Sequence, residues 1–291
     1  MLLPRELFFG CGTALITPFR DGKVDIPALE SLIEAQISAG IAALFLLGTT
    51  GEPCTLTDSE RAQIIETGIA VNHGRVPIFV GTGSNDTRRA VELSVDAERR
   101  GADGLLVVTP YYNLATPDGL LRHYRTIADR VHVPIIVSNV PGRTGLNMPP
   151  EAMAELAKHP FLCGFKEACA DIRHAIRLFE CTAGGVAIYA GNDEQTLPLM
   201  ALGARGAISV AANAFPQRMA QLTESCLRGD FAQARKIQFE LLPLLRALSQ
   251  QVNPVPVKAA LHVLGKCENE LRLPLSPMDA DTIRETVQRY L

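Results

Sequence analysis

The sequence lacks the features that mark several broad classes of protein. It has no basic excess, since 28 lysine and arginine residues stand against 31 aspartate and glutamate residues, a net charge of −3. A nucleic-acid-binding domain would present a basic face, so this balance argues against such a partner. The longest apolar run, at 41–47, is far shorter than the roughly 20 residues of a membrane-spanning helix. We therefore expect neither nucleic acid nor a membrane as a partner.

Motifs for metals, phosphates and hydrolysis are also missing. The seven cysteines include no CxxC pair, and the histidines show no HExxH spacing, so neither a disulfide framework nor a zinc site is indicated. No glycine-rich segment ends like a phosphate loop, and there is no GxSxG. The first ten residues lack the charged start and long apolar stretch of a signal peptide. These absences predict a cytoplasmic protein without a metal site.

A unit of a short apolar run, a turn and a helical pattern recurs along the 291 residues. The runs occupy residues 10–17, 42–48, 76–81, 103–109, 133–138, 162–167, 186–191 and 206–211. Each is uniformly apolar rather than alternating, which is typical of parallel strands covered on both faces. Eight such units in a row predict an α/β fold, a (β/α)₈ TIM barrel.

The alternative to a barrel is a doubly wound sheet, but no GxGxxG follows the first strand. The helical segments have clear start signals: Thr57 with Glu60 forms a capping box, and Thr116 precedes a proline at the first helical position. We place the barrel at 1–228. Residues 229–291 read as extra C-terminal helices appended to it.

The loops after the strands hold the candidate site residues, because barrel active sites form where the strands end. The segment 48–52, GTTGE, is either a nest of N–H groups for an anion or an ordinary tight turn. Tyr111 and Tyr112, two of only five tyrosines, follow the fourth strand. Arg143, after the fifth strand, could clamp a carboxylate or remain a solvated loop arginine.

Lys166 is the residue that most strongly indicates a catalytic role. It is one of six lysines and lies within 162–167, a run otherwise typical of a buried strand. Burial in an apolar barrel mouth lowers the pKa of an ammonium group, which leaves a neutral amine able to attack a ketone. The alternative is a salt bridge with Glu167. The other five lysines fall in loops or helical patterns and are weaker candidates.

Eight motifs, in order along the whole chain, resemble the dihydrodipicolinate synthase and N-acetylneuraminate lyase family of class I aldolases. They are TALITPF (13–19), GTTGE (48–52), TPYYN (109–113), NVPGRTG (139–145), GFKEA (164–168), AGND (190–193), GAISVAAN (206–213) and NPVPVK (253–258). The resemblance implies a (β/α)₈ barrel with C-terminal helices, a homotetramer, and a reaction without a metal or organic cofactor.

The resemblance also implies a lyase that condenses pyruvate with L-aspartate 4-semialdehyde in diaminopimelate and lysine biosynthesis. Lys166 is implied as the lysine that forms a Schiff base with pyruvate. Thr49 and Thr50 are implied as the hydroxyl relay and the pyruvate-carboxylate site. The backbone near Gly191 and Ile208 would assist in binding this carboxylate.

Three further positions concern the second substrate and proton transfer. Tyr112 resembles a relay tyrosine that a neighbouring subunit contributes, and Arg143 resembles the residue that receives the semialdehyde carboxylate. Ser138 departs from the family pattern, which has a tyrosine just before NVP as the central proton shuttle. A serine hydroxyl cannot span the distance of a phenol. The alternatives are therefore another pyruvate-dependent aldolase or dehydratase, or a non-catalytic paralogue.

Regulation is the last implication of the resemblance. Lysine-sensitive relatives bind lysine at the dimer interface through the helix after GTTGE and a nearby glutamate. The matching positions here are Pro53, Cys54, Asp58, Arg61 and Arg89, with Asn85 and Tyr111 retained. An arginine facing the ammonium group of lysine is repulsive, so we expect no inhibition by lysine.

Overall fold

Eight parallel strands close into one barrel in the computed structural model, which describes residues 7–291. The described residues form ten strands, of which β2 and β3 lie outside the barrel: β1 (Gly10–Ala14), β2 (Phe19–Arg20), β3 (Lys23–Val24), β4 (Ala43–Leu46), β5 (Ile78–Gly81), β6 (Gly104–Val108), β7 (Ile135–Asn139), β8 (Leu162–Glu167), β9 (Ala187–Ala190) and β10 (Gly206–Ser209). All eight predicted strands are present, and the closure of β1 on both β4 and β10 confirms the barrel. The doubly wound alternative is wrong.

Helices follow the strands in the predicted alternation. They are α1 (Ile26–Ser38), α2 (Asp58–Asn72), α3 (Thr87–Arg99), α4 (Pro117–Ala128), α5 (Pro141–Thr144), α6 (Pro150–Leu156), α7 (Ile172–Thr182), α8 (Thr196–Ala201), α9 (Pro216–Leu227), α10 (Phe231–Ala247), α11 (Val255–Val263) and α12 (Asp281–Gln288). The capping box of Thr57 and Glu60 is formed at the start of α2. The hydroxyl oxygen of Thr116 accepts a hydrogen bond from the N–H of Gly119 at the start of α4. Both helix starts therefore confirm the sequence signals.

The barrel interior is filled by an apolar cluster that is distinct from the core under the helices. Phe8 stacks on Tyr189 with ring centres 4.3 Å apart, and Phe45 stacks on Phe79 at 4.8 Å. Because alternate residues of each strand point inward, these rings occupy the interior, while the intervening aliphatic residues pack against the helices. The interior is therefore a packed core rather than a channel.

Residues 229–291 contribute α10, α11 and α12, which pack on α8, α9 and one another. The antiparallel hairpin of β2 and β3 was not predicted; its tight turn places Asp21 and Gly22 at positive φ. Within the described residues, no helix is long and apolar enough to cross a membrane.

Candidate active site

A cavity of about 450 Å³ opens at the carboxyl ends of the barrel strands. Its walls come from the loops after β4, β7, β8, β9 and β10 and from the segment between α10 and α11. The lining residues are Thr49, Thr50, Val140, Gly142, Arg143, Lys166, Ala168, Gly191, Asn192, Asp193, Glu194, Val210, Leu245, Leu248, Ser249, Gln251, Val252 and Asn253. The structure thus brings five of the predicted site residues together: Thr49, Thr50, Arg143, Lys166 and Gly191.

Lys166 lines this cavity from β8 although its side chain is almost fully buried. Burial lowers the pKa of Lys166 to about 8 from its ordinary 10.5. The positive charge of Arg143 acts in the same direction, and the carboxylate of Asp193 opposes it. A neutral amine is therefore accessible near physiological pH, as nucleophilic attack on a carbonyl carbon requires.

Glu167 lies on the opposite face of β8, since successive residues of a strand point to opposite sides. Its carboxylate accepts a hydrogen bond from Nδ2 of Asn139 at 3.1 Å and from the N–H of Cys169 at 2.6 Å. It also lies 3.4 Å from Nε2 of His174. The salt bridge between Lys166 and Glu167 is therefore wrong, and Glu167 instead ties the ends of β7 and β8 together.

Gly191 packs directly beside Lys166. A Cβ atom at this position would lie 2.9 Å from Cγ of Lys166, 2.9 Å from Cβ of Ala168 and 3.0 Å from the carbonyl oxygen of Glu167. Carbon atoms do not pack so closely, so any side chain here would displace the lysine. The glycine therefore keeps the wall next to the amine open to a small substrate.

Thr49 and Thr50 lie in a short 3₁₀ turn, Thr49–Gly51, that follows β4. Thr50 is buried, and its hydroxyl oxygen accepts a hydrogen bond from Nδ2 of Asn253 at 2.9 Å. The carbonyl of Gly51 accepts a hydrogen bond from the hydroxyl of Thr17 at 2.7 Å. Contacts on both sides thus fix the turn at the edge of the cavity.

Two charged residues complete the polar wall. Arg143 lies in α5, just beyond β7, and lines the cavity with an exposed side chain. Asp193 follows β9, and its Oδ2 accepts hydrogen bonds from the N–H groups of Val210 at 3.1 Å and Ala211 at 2.9 Å. Burial raises the pKa of Asp193. The positively charged guanidinium of Arg143 in the cavity wall suits a substrate carboxylate.

Ser138 is the register partner of Lys166 on β7, but it is buried and does not line the cavity. Tyr189 is the register partner of Lys166 on the other side, on β9. Its hydroxyl donates to the carbonyl of Phe8 at 2.7 Å, and burial raises the pKa of Tyr189. Because this phenol is bonded towards the amino-terminal end of the barrel, it does not replace the phenol that Ser138 lacks.

Two other predicted site residues lie away from the cavity. Tyr112 is 87% exposed, with its backbone in the left-handed region at φ 76°. Ile208 is buried in the interior cluster with Phe45 and Phe79. Only the backbone of Ile208 remains available for a substrate, so its role and that of Tyr112 stay predictions.

The contribution of the C-terminal extension to the cavity was not predicted from the sequence. Residues 245–253 supply a whole wall of the cavity, although they follow the last barrel strand by more than thirty residues in the chain. The ranking of the lysines was also incomplete, because Lys258 of α11 is fully buried. The NPVPVK motif at 253–258 was the one sequence feature that could have pointed to this wall and to Lys258. Among residues 7–291, no group of histidine, cysteine and acidic side chains is arranged to hold a metal ion.

A closed (β/α)₈ barrel with a buried, readily deprotonated lysine beside paired threonines and an arginine defines a lyase of the Schiff-base-forming type. The family model described as Dihydrodipicolinate synthetase family matches residues 7–291. The chain belongs to this family.

Relatives with known names cover nearly the whole chain. It is 45% identical over 278 residues to the 4-hydroxy-tetrahydrodipicolinate synthase of Fervidobacterium nodosum, with 95% of each sequence covered. The crystal structure of dihydrodipicolinate synthase from Thermotoga maritima superposes with a TM-score of 0.96 at 40% identity, covering 98% of this chain and 99% of that one. The chloride-inhibited enzyme from Acinetobacter baumannii, complexed with pyruvate, superposes with a TM-score of 0.94 at 40% identity and 97% coverage of each.

Proposed function

We propose that this lyase condenses pyruvate with L-aspartate 4-semialdehyde, the 4-hydroxy-tetrahydrodipicolinate synthase reaction of diaminopimelate and lysine biosynthesis. The observation that carries the proposal is Lys166, buried at the mouth of the barrel with a pKa lowered to about 8. A lysine in this state attacks a ketone without a metal or an organic cofactor.

The reaction begins when neutral Nζ of Lys166 adds to the C2 carbonyl of pyruvate and water leaves, which forms an imine. Loss of a proton from C3 gives an enamine, because the protonated imine accepts the electron pair. The enamine carbon then attacks the aldehyde carbon of the semialdehyde, and the alkoxide formed takes up a proton. Finally the amine of the semialdehyde attacks the imine carbon and displaces Nζ, so the ring closes and the lysine is regenerated.

The other cavity residues receive roles that match their chemistry. Thr50 receives the pyruvate carboxylate together with the backbone near Gly191 and Ile208, and Thr49 relays protons. The guanidinium of Arg143 receives the carboxylate of the semialdehyde. The open wall at Gly191 supports this placement, since it leaves the space next to Lys166 to the substrate.

We further propose a homotetramer in which Tyr112 of one protomer completes the relay of its neighbour. An aromatic side chain 87% exposed on a left-handed backbone, with Leu114 60% exposed beside it, supports a partner surface at this loop. Light scattering after size exclusion measures the assembly. The absence of a disulfide bond among residues 7–291 supports a cytoplasmic location, since a reducing compartment keeps thiols reduced.

A second function of the same type is favoured by Ser138, since the small side chain removes the phenol expected next to Lys166. Another pyruvate-dependent aldolase or dehydratase would keep Lys166 and accept a different aldehyde. A coupled assay with pyruvate and a panel of aldehydes separates these functions. Turnover with the semialdehyde supports the synthase, turnover only with another aldehyde supports the alternative, and no turnover indicates a non-catalytic paralogue.

A further inference from the structure

A buried ion pair joins the turn after β4 to the C-terminal extension. Nζ of Lys258 lies 2.5 Å from Oε1 of Glu52, and the two side chains are 0% and 2% exposed. The ammonium also donates to the carbonyl of Glu270 at 2.9 Å and lies 4.1 Å from the centre of the Phe19 ring. The proposed reaction uses none of these groups, and buried charges of this kind are rare.

Arg272 of the extension strengthens the same connection. Its N–H donates to Oε2 of Glu52 at 3.3 Å, so both carboxylate oxygens are engaged. Its guanidinium donates to the carbonyl of Thr55 at 2.9 Å and to the carboxylate of Glu60 at 2.9 Å. The extension therefore makes hydrogen bonds and ion pairs with the segment from Glu52 to the first turn of α2.

The backbone of Glu52 depends on such support. Its φ of 52° lies in the left-handed region, which costs a residue with a side chain free energy compared with glycine. Glu52 directly follows the turn of Thr49 and Thr50. A loss of its contacts would therefore release the turn that lines the cavity.

Asn253 makes the third contact, directly to the turn. Its Nδ2 donates to the hydroxyl oxygen of Thr50 at 2.9 Å. A hydroxyl has one proton to donate, and accepting the amide leaves that proton available for another acceptor. In the cavity, this acceptor would be the carboxylate of pyruvate.

We infer that Glu52, Lys258 and Asn253 form a positioning device that holds the Thr49–Thr50 turn for pyruvate. This inference rests on the proposed function. Glu52 and Lys258 lie outside the cavity lining and act through the turn, so they are positioning residues; Asn253 lines the cavity and also holds Thr50 directly. A buried ion pair suits this task, because removal of one partner leaves an uncompensated charge, whereas removal of both is often tolerated.

The test compares Lys258→Met with the double variant Glu52→Gln, Lys258→Met in the full-length protein. The single variant is expected to lose stability, and the double variant to regain it, because no unpaired charge remains. In both folded variants, the KM for pyruvate should rise about tenfold, equivalent to about 1.4 kcal/mol, while the KM for the aldehyde stays unchanged. A purely structural role would lower the amount of folded enzyme and leave the KM for pyruvate unchanged, which would overturn the inference.

Two further variants complete the experiment. Lys266→Met is the matched control, since this half-buried lysine of the same extension lines a different cavity, beside Asp25 and Leu32, and its KM for pyruvate should equal that of wild type. Asn253→Ala should raise the KM for pyruvate in the same way. If neither Lys258 variant folds, Asn253→Ala is compared in wild type and in Thr50→Val: a KM increase that disappears in the Thr50→Val background supports the device, and an unchanged KM or an equal increase in both backgrounds refutes it.

Borohydride trapping of pyruvate on wild type distinguishes a failure of the proposed function from a failure of the positioning device alone. Wild type that fails to trap pyruvate overturns the proposed function and the positioning device together. If wild type traps pyruvate but the Lys258 and Asn253 variants keep the wild-type KM for pyruvate, only the positioning device is overturned.

Discussion

Replacing Ser138 by tyrosine restores the phenol that the family pattern places beside the Schiff-base lysine. Ser138 and Lys166 are register partners on β7 and β8, and neighbouring strands run about 4.8 Å apart. A phenol at 138 would start from the strand next to the amine, on the same inner face, and reach towards the cavity. A positioned general acid or base contributes about 10²–10⁴ in rate.

We expect Ser138→Tyr to raise kcat with the semialdehyde by about a hundredfold, the lower end of this range, or about 2.7 kcal/mol of activation free energy. The lower end applies because water can bridge part of the relay in wild type. The assay is steady-state turnover coupled to consumption of the product, alongside pyruvate trapping, which should stay intact. Ser138→Phe is the matched control, since it adds the ring without the hydroxyl.

The outcomes separate the competing functions. Equal rates for Ser138→Tyr and Ser138→Phe would refute the relay argument, because only the hydroxyl carries protons. A wild-type rate already as high as that of family members would also refute it, and would assign the relay to water or to Tyr112. Turnover with a different aldehyde, blocked by the added ring, would identify another aldolase.

Three more predictions follow from Lys166 and the helix after the turn. The rate of pyruvate trapping should rise about tenfold per pH unit up to about pH 8 and level off above it, because only the neutral amine attacks; a flat profile from pH 6 to 9 contradicts this. Lys166→Met should raise the free energy of unfolding by up to about 3 kcal/mol in urea titrations at pH 7. The lowered folded-state pKa makes the cost of burying the ammonium complete below pH 8, and it fades between pH 8 and 10.5, so an equal gain at pH 7 and pH 10.5 would be inconsistent. L-lysine at millimolar concentration should not inhibit, since Arg89 pairs with Asp58 and the guanidinium of Arg61 donates to the carbonyl of Gly81 at 2.8 Å; a saturable inhibition curve would disprove it.

Features encoded by local pattern were predictable from the sequence. The eight strands were found because parallel strands buried on both faces are uniformly apolar, and Lys166 stood out as a charge within such a run. The start of α2 was found because Thr57 and Glu60 satisfy each other's backbone within four residues. The hairpin of β2 and β3 was missed, since two-residue strands carry no periodicity.

Features that depend on distant pairs were not predictable. Lys258 sits in a helical pattern with apolar neighbours, and nothing local shows that its partner is Glu52, 206 positions earlier in the chain. The wall formed by 245–253 was missed for the same reason, since only the packing of the extension brings it over the barrel mouth. The sequence left open whether Glu167 pairs with Lys166. Once the register of β8 is known, the alternation of a strand places the two side chains on opposite faces.

The central claim is that Lys166 forms the Schiff base with pyruvate. Its most direct test is incubation with pyruvate and borohydride, followed by peptide mass mapping of wild type and Lys166→Ala. We expect one reduced pyruvate adduct per chain, on the peptide that contains Lys166, and none in the variant. An adduct that survives in Lys166→Ala, or that maps to the other fully buried lysine, Lys258, would contradict it.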